Sequence, residues 1–229
     1  MKIFDNLLSL FYPRMCVSCG DALQQNERHL CLHCQMHLPE THFHKDLENP
    51  LNLIFAGRVK VENVCSLLYY KKGNGVQHIL HALKYKGQKE LGSFLGEYYG
   101  RQLKLEPRFQ TIDFIIPIPL HPDKERKRGY NQSEWIAKGL SAGMGKPYRT
   151  DVLVRTHYTE TQTKKSRFSR WENVKEVFEV ADADALRGRH VLVCDDVLTT
   201  GATMEAAIQK LHSAAECYVS VATLATAHG

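Results

Sequence analysis

No run of apolar residues in this chain approaches the ~18 that a membrane-spanning helix requires, so no helical span is expected. Internal repeats and low-complexity tracts are also lacking, which sets aside repeat arrays and biased-composition segments. Charge of one sign is not in large excess: the formal net charge is +5, compatible with phosphate-rich substrates or nucleic acid and decisive for neither. The N-terminal stretch from Ile3 to Phe11 is too short and too interrupted for a signal peptide, and no small-residue cleavage site follows it. A cytoplasmic chain is therefore expected. Phe4, Leu7, Leu8 and Phe11 share one helical face; a short helix packed on the body is expected there, with contact to a membrane surface as the rival reading. In a reducing compartment the seven cysteines are expected to be reduced or metal-bound rather than paired in disulfides.

What is present suits a soluble globular protein. The chain has 229 residues, 43% hydrophobic and 24% charged, enough for one large domain or a medium domain with a small appendage. Near the N-terminus, Cys16-Val-Ser-Cys19 and Cys31-Leu-His-Cys34 form a CxxC…CxxC pattern. Each CxxC turn aims two thiolates at one point, and two such turns supply the sulfurs of a tetrahedral structural zinc site. Gly20 helps the first turn because glycine accepts positive φ. A segment of ~35 residues cannot bury enough apolar surface to fold unaided, so metal would supply much of its stability. An iron–sulfur cluster and a redox dithiol are the alternatives. His29, His33, His37, His42 and His44 crowd the same stretch and could replace a ligand. Residues 38–55 are polar, contain Pro39 and Pro50, and read as a linker or short extension. The expected division is a zinc module with linker over 1–50 and a larger domain over 51–229. Cys65, Cys194 and Cys217 lie in apolar runs and are expected as buried thiols without chemistry.

The larger part alternates between strand-like and helix-like patterns. Strands are expected over 61–70, 112–119, 152–155, 191–194 and 218–224. Helices are expected over 76–85, 91–103, 132–142 and 202–214, with Trp135, Ile136 and Leu140 facing inward in the third. Strands separated by helices imply a parallel sheet with helices on both faces.

The most informative run is Val191 to Thr203. Val191–Cys194 is a short apolar, β-branched strand of the kind buried on both faces. Asp195 and Asp196 follow at its carboxyl end, where open α/β sheets place their ligands. Thr199, Thr200, Gly201, Ala202 and Thr203 then lead into a helix. A small-residue loop and a helix N-terminus make an anion site from backbone N–H groups, hydroxyls and the helix dipole. Two carboxylates beside it suit the hydroxyls of a sugar that carries the phosphate, or water on a divalent cation. A Walker A loop is excluded because its Gly-Lys-Ser/Thr ending is missing. The bland alternative is a βα turn with one Asp as a helix cap. A second cluster, Lys124, Arg126, Lys127 and Arg128 before Gly129, reads as a solvated basic turn or as a diphosphate contact. The segment 155–174 is polar, Thr-rich and long for a connection; its Arg155, Gln162, Lys164, Arg167 and Arg170 suit phosphates or nucleic acid, with a disordered surface hairpin as the alternative.

The run from 191 to 203 resembles the 5-phosphoribosyl-1-pyrophosphate (PRPP) loop of type I phosphoribosyltransferases and meets every position of that pattern. Leu83-Lys84-Tyr85-Lys86-Gly87, Pro117-Ile118-Pro119-Leu120-His121, Arg128-Gly129-Tyr130-Asn131-Gln132, Thr161-Gln162 and Arg170-Trp171-Glu172-Asn173-Val174, with the four-Cys module, extend the resemblance to the ComF (competence protein F) family over nearly the whole chain. Thr161 and Trp171 depart from it, where the family has proline and a second basic residue. The resemblance implies an α/β type I phosphoribosyltransferase core behind a small zinc-binding module. It implies PRPP, or a related phosphorylated ribose, as ligand with Mg2+. The 5-phosphate would sit on residues 199–203, the ribose hydroxyls on Asp195 and Asp196, and the pyrophosphate near the loop of residues 124–129, with Arg128 and Gly129 foremost. A further loop in 155–174 would close over the reacting centre. Natural transformation, single-stranded DNA and a DNA helicase partner come with the family. The rival reading is a non-catalytic phosphate or single-stranded DNA-binding module, in which Tyr130, Phe168 and Trp171 are the candidates for base stacking.

Overall fold

The computed structural model describes residues 13–155 and 178–227. The expected N-terminal helix, and Gln162, Lys164, Arg167, Phe168, Arg170 and Trp171 of the 155–174 segment, lie outside the described residues. The core is a parallel sheet of β1 (Val64–Tyr69), β2 (Phe114–Pro117), β5 (His190–Leu198) and β6 (Tyr218–Thr226), in the order β1-β6-β5-β2. Val191–Cys194 on β5 pair with β2 on one side and β6 on the other and are fully buried, which is why their sequence is apolar at every position rather than alternating. The expected strand at 152–155 forms as β3 (Leu153–Arg155) but pairs antiparallel with β4 (Phe178–Val180) in a separate two-stranded sheet.

The helical stripes hold. In α3 (Gly75–Tyr85), Val76, Ile79, Leu80 and Leu83 are buried, and Asn74 caps the first turn by accepting the N–H of Gln77 at 3.2 Å. α4 (Lys89–Leu105) and α7 (Gln132–Met144) cross almost backbone to backbone. A Cβ on Gly139 would lie 2.2 Å from the carbonyl oxygen of Ser93, so only glycine allows this approach. Ser93 also donates to the Trp135 carbonyl at 3.0 Å. The crossing fixes the start of α7, which carries part of the site described below. Ile136 and Leu140 are buried as expected, whereas Trp135 is only partly buried, between the ammonium groups of Lys89 and Lys138 at 4.7 and 4.8 Å from its ring.

Residues 38–55 are not a solvated connection. Thr41 N donates to Leu67 O at 2.9 Å and Tyr69 N to Pro39 O at 2.8 Å, so this segment borders β1. Phe43, Leu51 and Phe55 enter the core, and the buried Asn49 amide donates to Val64 O at 3.0 Å. The helices α1 (Leu32–Met36), α2 (Asn52–Phe55) and α5 (Pro107–Gln110) are short. Cys65 and Cys194 are buried thiols, Cys65 pushed by burial up to about 12; Cys217 is half-buried. Among the described residues, no helix is long and apolar enough to cross a membrane.

Candidate phosphate site and cysteine cluster

The strand ahead of the anion loop is longer than its apolar run. β5 continues through Asp195 and Asp196 to Leu198, with Asp195 opposite Thr223 and Val197 opposite Ala225, so the acidic pair lies within the strand instead of after it. Ladder pairing to β6 overrides the low strand propensity of aspartate. Successive strand residues point to opposite faces, and the two carboxylates are met by different helices. Asp195 Oδ1 accepts from Ser133 Oγ of α7 at 2.6 Å and from the Asp196 N–H at 2.8 Å. Asp196 is 4% exposed, and its Oδ2 lies 3.0 Å from Lys84 Nζ, on the last turn of α3. Burial first, and the neighbouring Asp196 charge second, push the Asp195 carboxyl up to about 7, against the hydrogen bonds from Ser133 and the Asp196 N–H and the charge of Lys84. Arg155, at the end of β3, stacks on Phe178 at 5.4 Å; burial lowers its pKa while the Asp195 charge raises it.

Thr199 and Thr200 are exposed, and the chain turns at Gly201 with φ of 77° into α8 (Ala202–Ala214), which has no side-chain cap. A Cβ at Gly201 would also meet Ile54 Cγ2 at 2.5 Å, so this glycine answers both a left-handed turn and a close approach. Gly201 offers no side-chain cap, and apart from a long 3.5 Å bond from the Ala202 N–H to Thr200 Oγ1, the first turn leaves its backbone N–H groups directed toward the loop. Asp195, Thr199, Thr200, Gly201, Ala202 and Thr203 line a concavity of about 50 Å³. That is room enough for a phosphoryl group. Arg58 braces the loop from behind, donating to Thr200 O at 3.2 Å and pairing with Glu205 of α8.

The basic cluster is a helix, not a turn: α6 (Pro122–Arg128) opens with Pro122 behind the His121 cap and ends at Gly129, φ 85°. Lys124, Arg126 and Lys127 are exposed, with Arg126 3.8 Å from Asp123. Arg128 alone turns inward; it donates to Gln132 Oε1, beside Ser133, and lies 5.7 Å from the Tyr85 ring. Tyr130 is 8% exposed and donates to Leu83 O, so it does not stack on a base as expected.

At the N-terminal end, Cys16, Cys19, Cys31 and Cys34 bring their Sγ atoms within 4.8 Å of one another. The turns that do this are visible: Gly20 N donates to Cys16 O at 2.9 Å with φ of 82° at Gly20, and the Cys34 N–H reaches Cys31 Sγ at 3.4 Å. Cys19 and Cys31 sulfurs are 3.7 Å apart, matching the roughly 3.8 Å edge of a tetrahedron of zinc–sulfur bonds. The cluster can hold a metal ion. The histidines lie elsewhere: His29 packs on Phe94, His33 on His37, and His44 on Tyr99. The module rests on α3 through His78 Nδ1 and Ser18 O at 2.9 Å.

Comparison with known proteins fits this geometry. A family model described as a phosphoribosyl transferase domain matches residues 131–229, from the cap of α7 through β6. The DNA utilization protein YhgH of Shigella flexneri is 28% identical over 207 residues, 89% of this chain and 86% of that protein. Competence protein F of Haemophilus influenzae is 32% identical over 105 residues, 45% of this chain and 46% of that protein. The chain is thus similar to proteins named DNA utilization protein YhgH and competence protein F or ComFC. Competence protein ComFC of Bacillus subtilis is 25% identical over 209 residues, 89% of this chain and 77% of that protein. Among solved structures, the glutamine PRPP amidotransferase of B. subtilis overlays with a TM-score of 0.41 at 22% identity, over 58% of this chain and 26% of that one.

The residues expected from sequence, Asp195 with the 199–203 loop and the four cysteines, come together in two places. Sequence reasoning missed Ser133 and Arg58, and it quoted Lys84 without a role. The signal available for Lys84 was weak: a lone lysine at the polar edge of an amphipathic helix.

Proposed function

We propose that this protein binds PRPP, or a related phosphorylated ribose, with Mg2+ at the carboxyl end of β5 and transfers the phosphoribosyl group to an acceptor nucleophile. The observation that carries the reading is the uncapped start of α8 joined by one short loop to Asp195 and Asp196. The 5-phosphate would take the N–H groups and hydroxyls of residues 199–203. Asp195 and Asp196 would hold the ribose hydroxyls, their hard oxygens also suiting the water shell of magnesium. Magnesium, when bound, neutralises charge on the departing pyrophosphate. As the C1–oxygen bond to pyrophosphate breaks, with the electron pair leaving on pyrophosphate, positive charge would grow on the sugar, the nearby carboxylates would stabilise it, and an acceptor nucleophile would bond to C1. Arg128, the one inward cation of α6, stands on the side of α7 where a pyrophosphate contact is expected. The four cysteines would hold structural Zn2+. The setting proposed is the cytoplasm, in the handling of DNA taken up during transformation, with a DNA helicase as partner.

Calorimetry with PRPP and Mg2+ tests this. The double variant D195N/D196N should lose at least roughly a hundredfold in affinity, the scale of two charge-assisted hydrogen-bond sets, while melting as a folded protein. Equal affinity in the two proteins would overturn the reading.

A second reading, a single-stranded DNA module, draws on two surface features. Tyr85 is exposed beneath Arg128, and the Trp135 ring is flanked by Lys89 and Lys138. Aromatic rings with cations beside them suit stacked bases and phosphates. DNA affinity that does not fall with added salt would count against it.

A further inference from the structure

The Lys84–Asp196 contact lies inside the site yet belongs to neither the anion loop nor the helix that follows it. Lys84 sits at the end of α3, an element outside the matched domain, and reaches across to the middle of the site. Its placement is not loose: the preceding residue, Leu83, is fully buried, and its carbonyl accepts the hydroxyl of Tyr130, just before α7. Asp196 is the most buried carboxylate of the site, with 6% of its side chain exposed, against 28% for Lys84. The contact is one of charge more than of hydrogen bonding. Asp196 Oδ2 is 3.0 Å from the ammonium but has no hydrogen-bond partner of acceptable geometry. Asp195, by contrast, is held by two well-formed bonds to one oxygen. One carboxylate is therefore fixed by the frame, and the other is covered by a cation on a flexible four-carbon stem.

We infer that Lys84 is a tethered cation that covers Asp196 in the ligand-free protein and must leave it before a divalent cation or the ribose hydroxyls can use that oxygen. The inference rests on the PRPP reading of the acidic pair and adds its regulation. A buried carboxylate without a positive partner is costly, and the ammonium meets that need while the site is empty. Its imperfect geometry makes it replaceable. An arriving metal ion and an ammonium compete for the same oxygen, so they do not share it at full strength. Once displaced, Lys84 keeps its charge at the rim of the site, where an anionic diphosphate leaving group is the nearest chemistry to attract it. Metal and sugar phosphate then bind together better than either binds alone, because the displaced ammonium finds a partner only when the anion is present.

The test is K84M, which removes the charge and keeps most of the packing of the stem. Manganese(II) alone is titrated by electron paramagnetic resonance, and PRPP with Mg2+ by calorimetry. K84M should bind manganese(II) about tenfold more tightly than the native protein, while its PRPP affinity falls by about tenfold, the scale of one charge-assisted contact in each direction. K84R, which keeps a cation, should show no gain in manganese(II) affinity. Manganese(II) affinity that is unchanged or weaker in K84M overturns the inference, as does its absence from both proteins. Should K84M melt early, K84Q supplies the same comparison. If PRPP fails to bind the native protein while K84M still gains manganese(II) affinity, the PRPP reading fails and the tethered cation stands. If PRPP binds but manganese(II) affinity does not move, the opposite holds.

Discussion

The acidic pair with its Thr/Gly loop and the cysteine cluster solve the same problem, holding charged or reactive side chains at fixed spacing, by different means. Around the acidic pair the frame is apolar burial. Val191–Cys194 are wholly buried between β2 and β6, α7 is locked against α4, and the carboxylates ride at the end of that packed body. Around the cysteines, only Cys16, Leu30 and Cys31 are buried between residues 13 and 40. Backbone turns aim the thiolates, and the stabilising bonds would be those to the metal. The difference teaches where each region would be vulnerable: one to changes in packing, the other to removal of any metal ion it holds.

The largest effect should come from metal. Chelation, or C31S, removes binding energy on the order of 10 kcal/mol that counts as folding energy for so small a module. Metal analysis should find one zinc per native chain, and hydrogen exchange over residues 13–37 should rise sharply in C31S while β5 and β6 stay protected. Protection lost equally in both regions would erase the contrast between them. Iron with a visible absorption band would refute the zinc reading.

Packing should show the converse. Gly139→Ala places a methyl 2.2 Å from a backbone oxygen of α4, which cannot swing aside. Overpacking of this kind costs about 1–3 kcal/mol. It should lower the melting temperature, shift Ser133 away from Asp195 and weaken PRPP binding, with zinc content unchanged. A native melting temperature would show that the crossing is looser than the structure has it.

The smallest effect concerns pH. His44 is 1% exposed, and neither ring nitrogen has a hydrogen-bond partner among the described residues. Burial lowers its pKa below the usual 6.5. The unfolded chain then takes up more protons than the native one, so this contribution is full above 6.5 and is lost as pH falls below it. Asp195 acts in the opposite sense: its pKa of about 7 lies above its ordinary 3.8, so the native state binds more protons between those values, and its contribution falls as pH rises through that window. His44→Phe isolates the first term. As pH falls from 7.5 to 5.5 the native protein should lose more stability than the variant. Parallel melting curves across that range would mean that His44 is not held neutral.

What could be read without the structure was local. Four thiols in two CxxC turns, an apolar run ending in two carboxylates and a Thr/Gly loop, and stripes at helical spacing each lie within a dozen or so neighbouring residues, where turn chemistry and periodicity act directly. From these follow the α/β class, the turn from β5 into α8 and the cysteine cluster. Tertiary structure decided the rest, because it depends on partners distant along the chain. β5 extends through Asp195 and Asp196 because β6 offers ladder partners there. Residues 38–55 pack because β1 exchanges backbone hydrogen bonds with them. Tyr130 is withdrawn from the surface by the Leu83 carbonyl, and Lys84 and Ser133 reach the acidic pair from two separate helices. No local pattern encodes such contacts; they exist only once the sheet has brought α3 and α7 to the same end of β5.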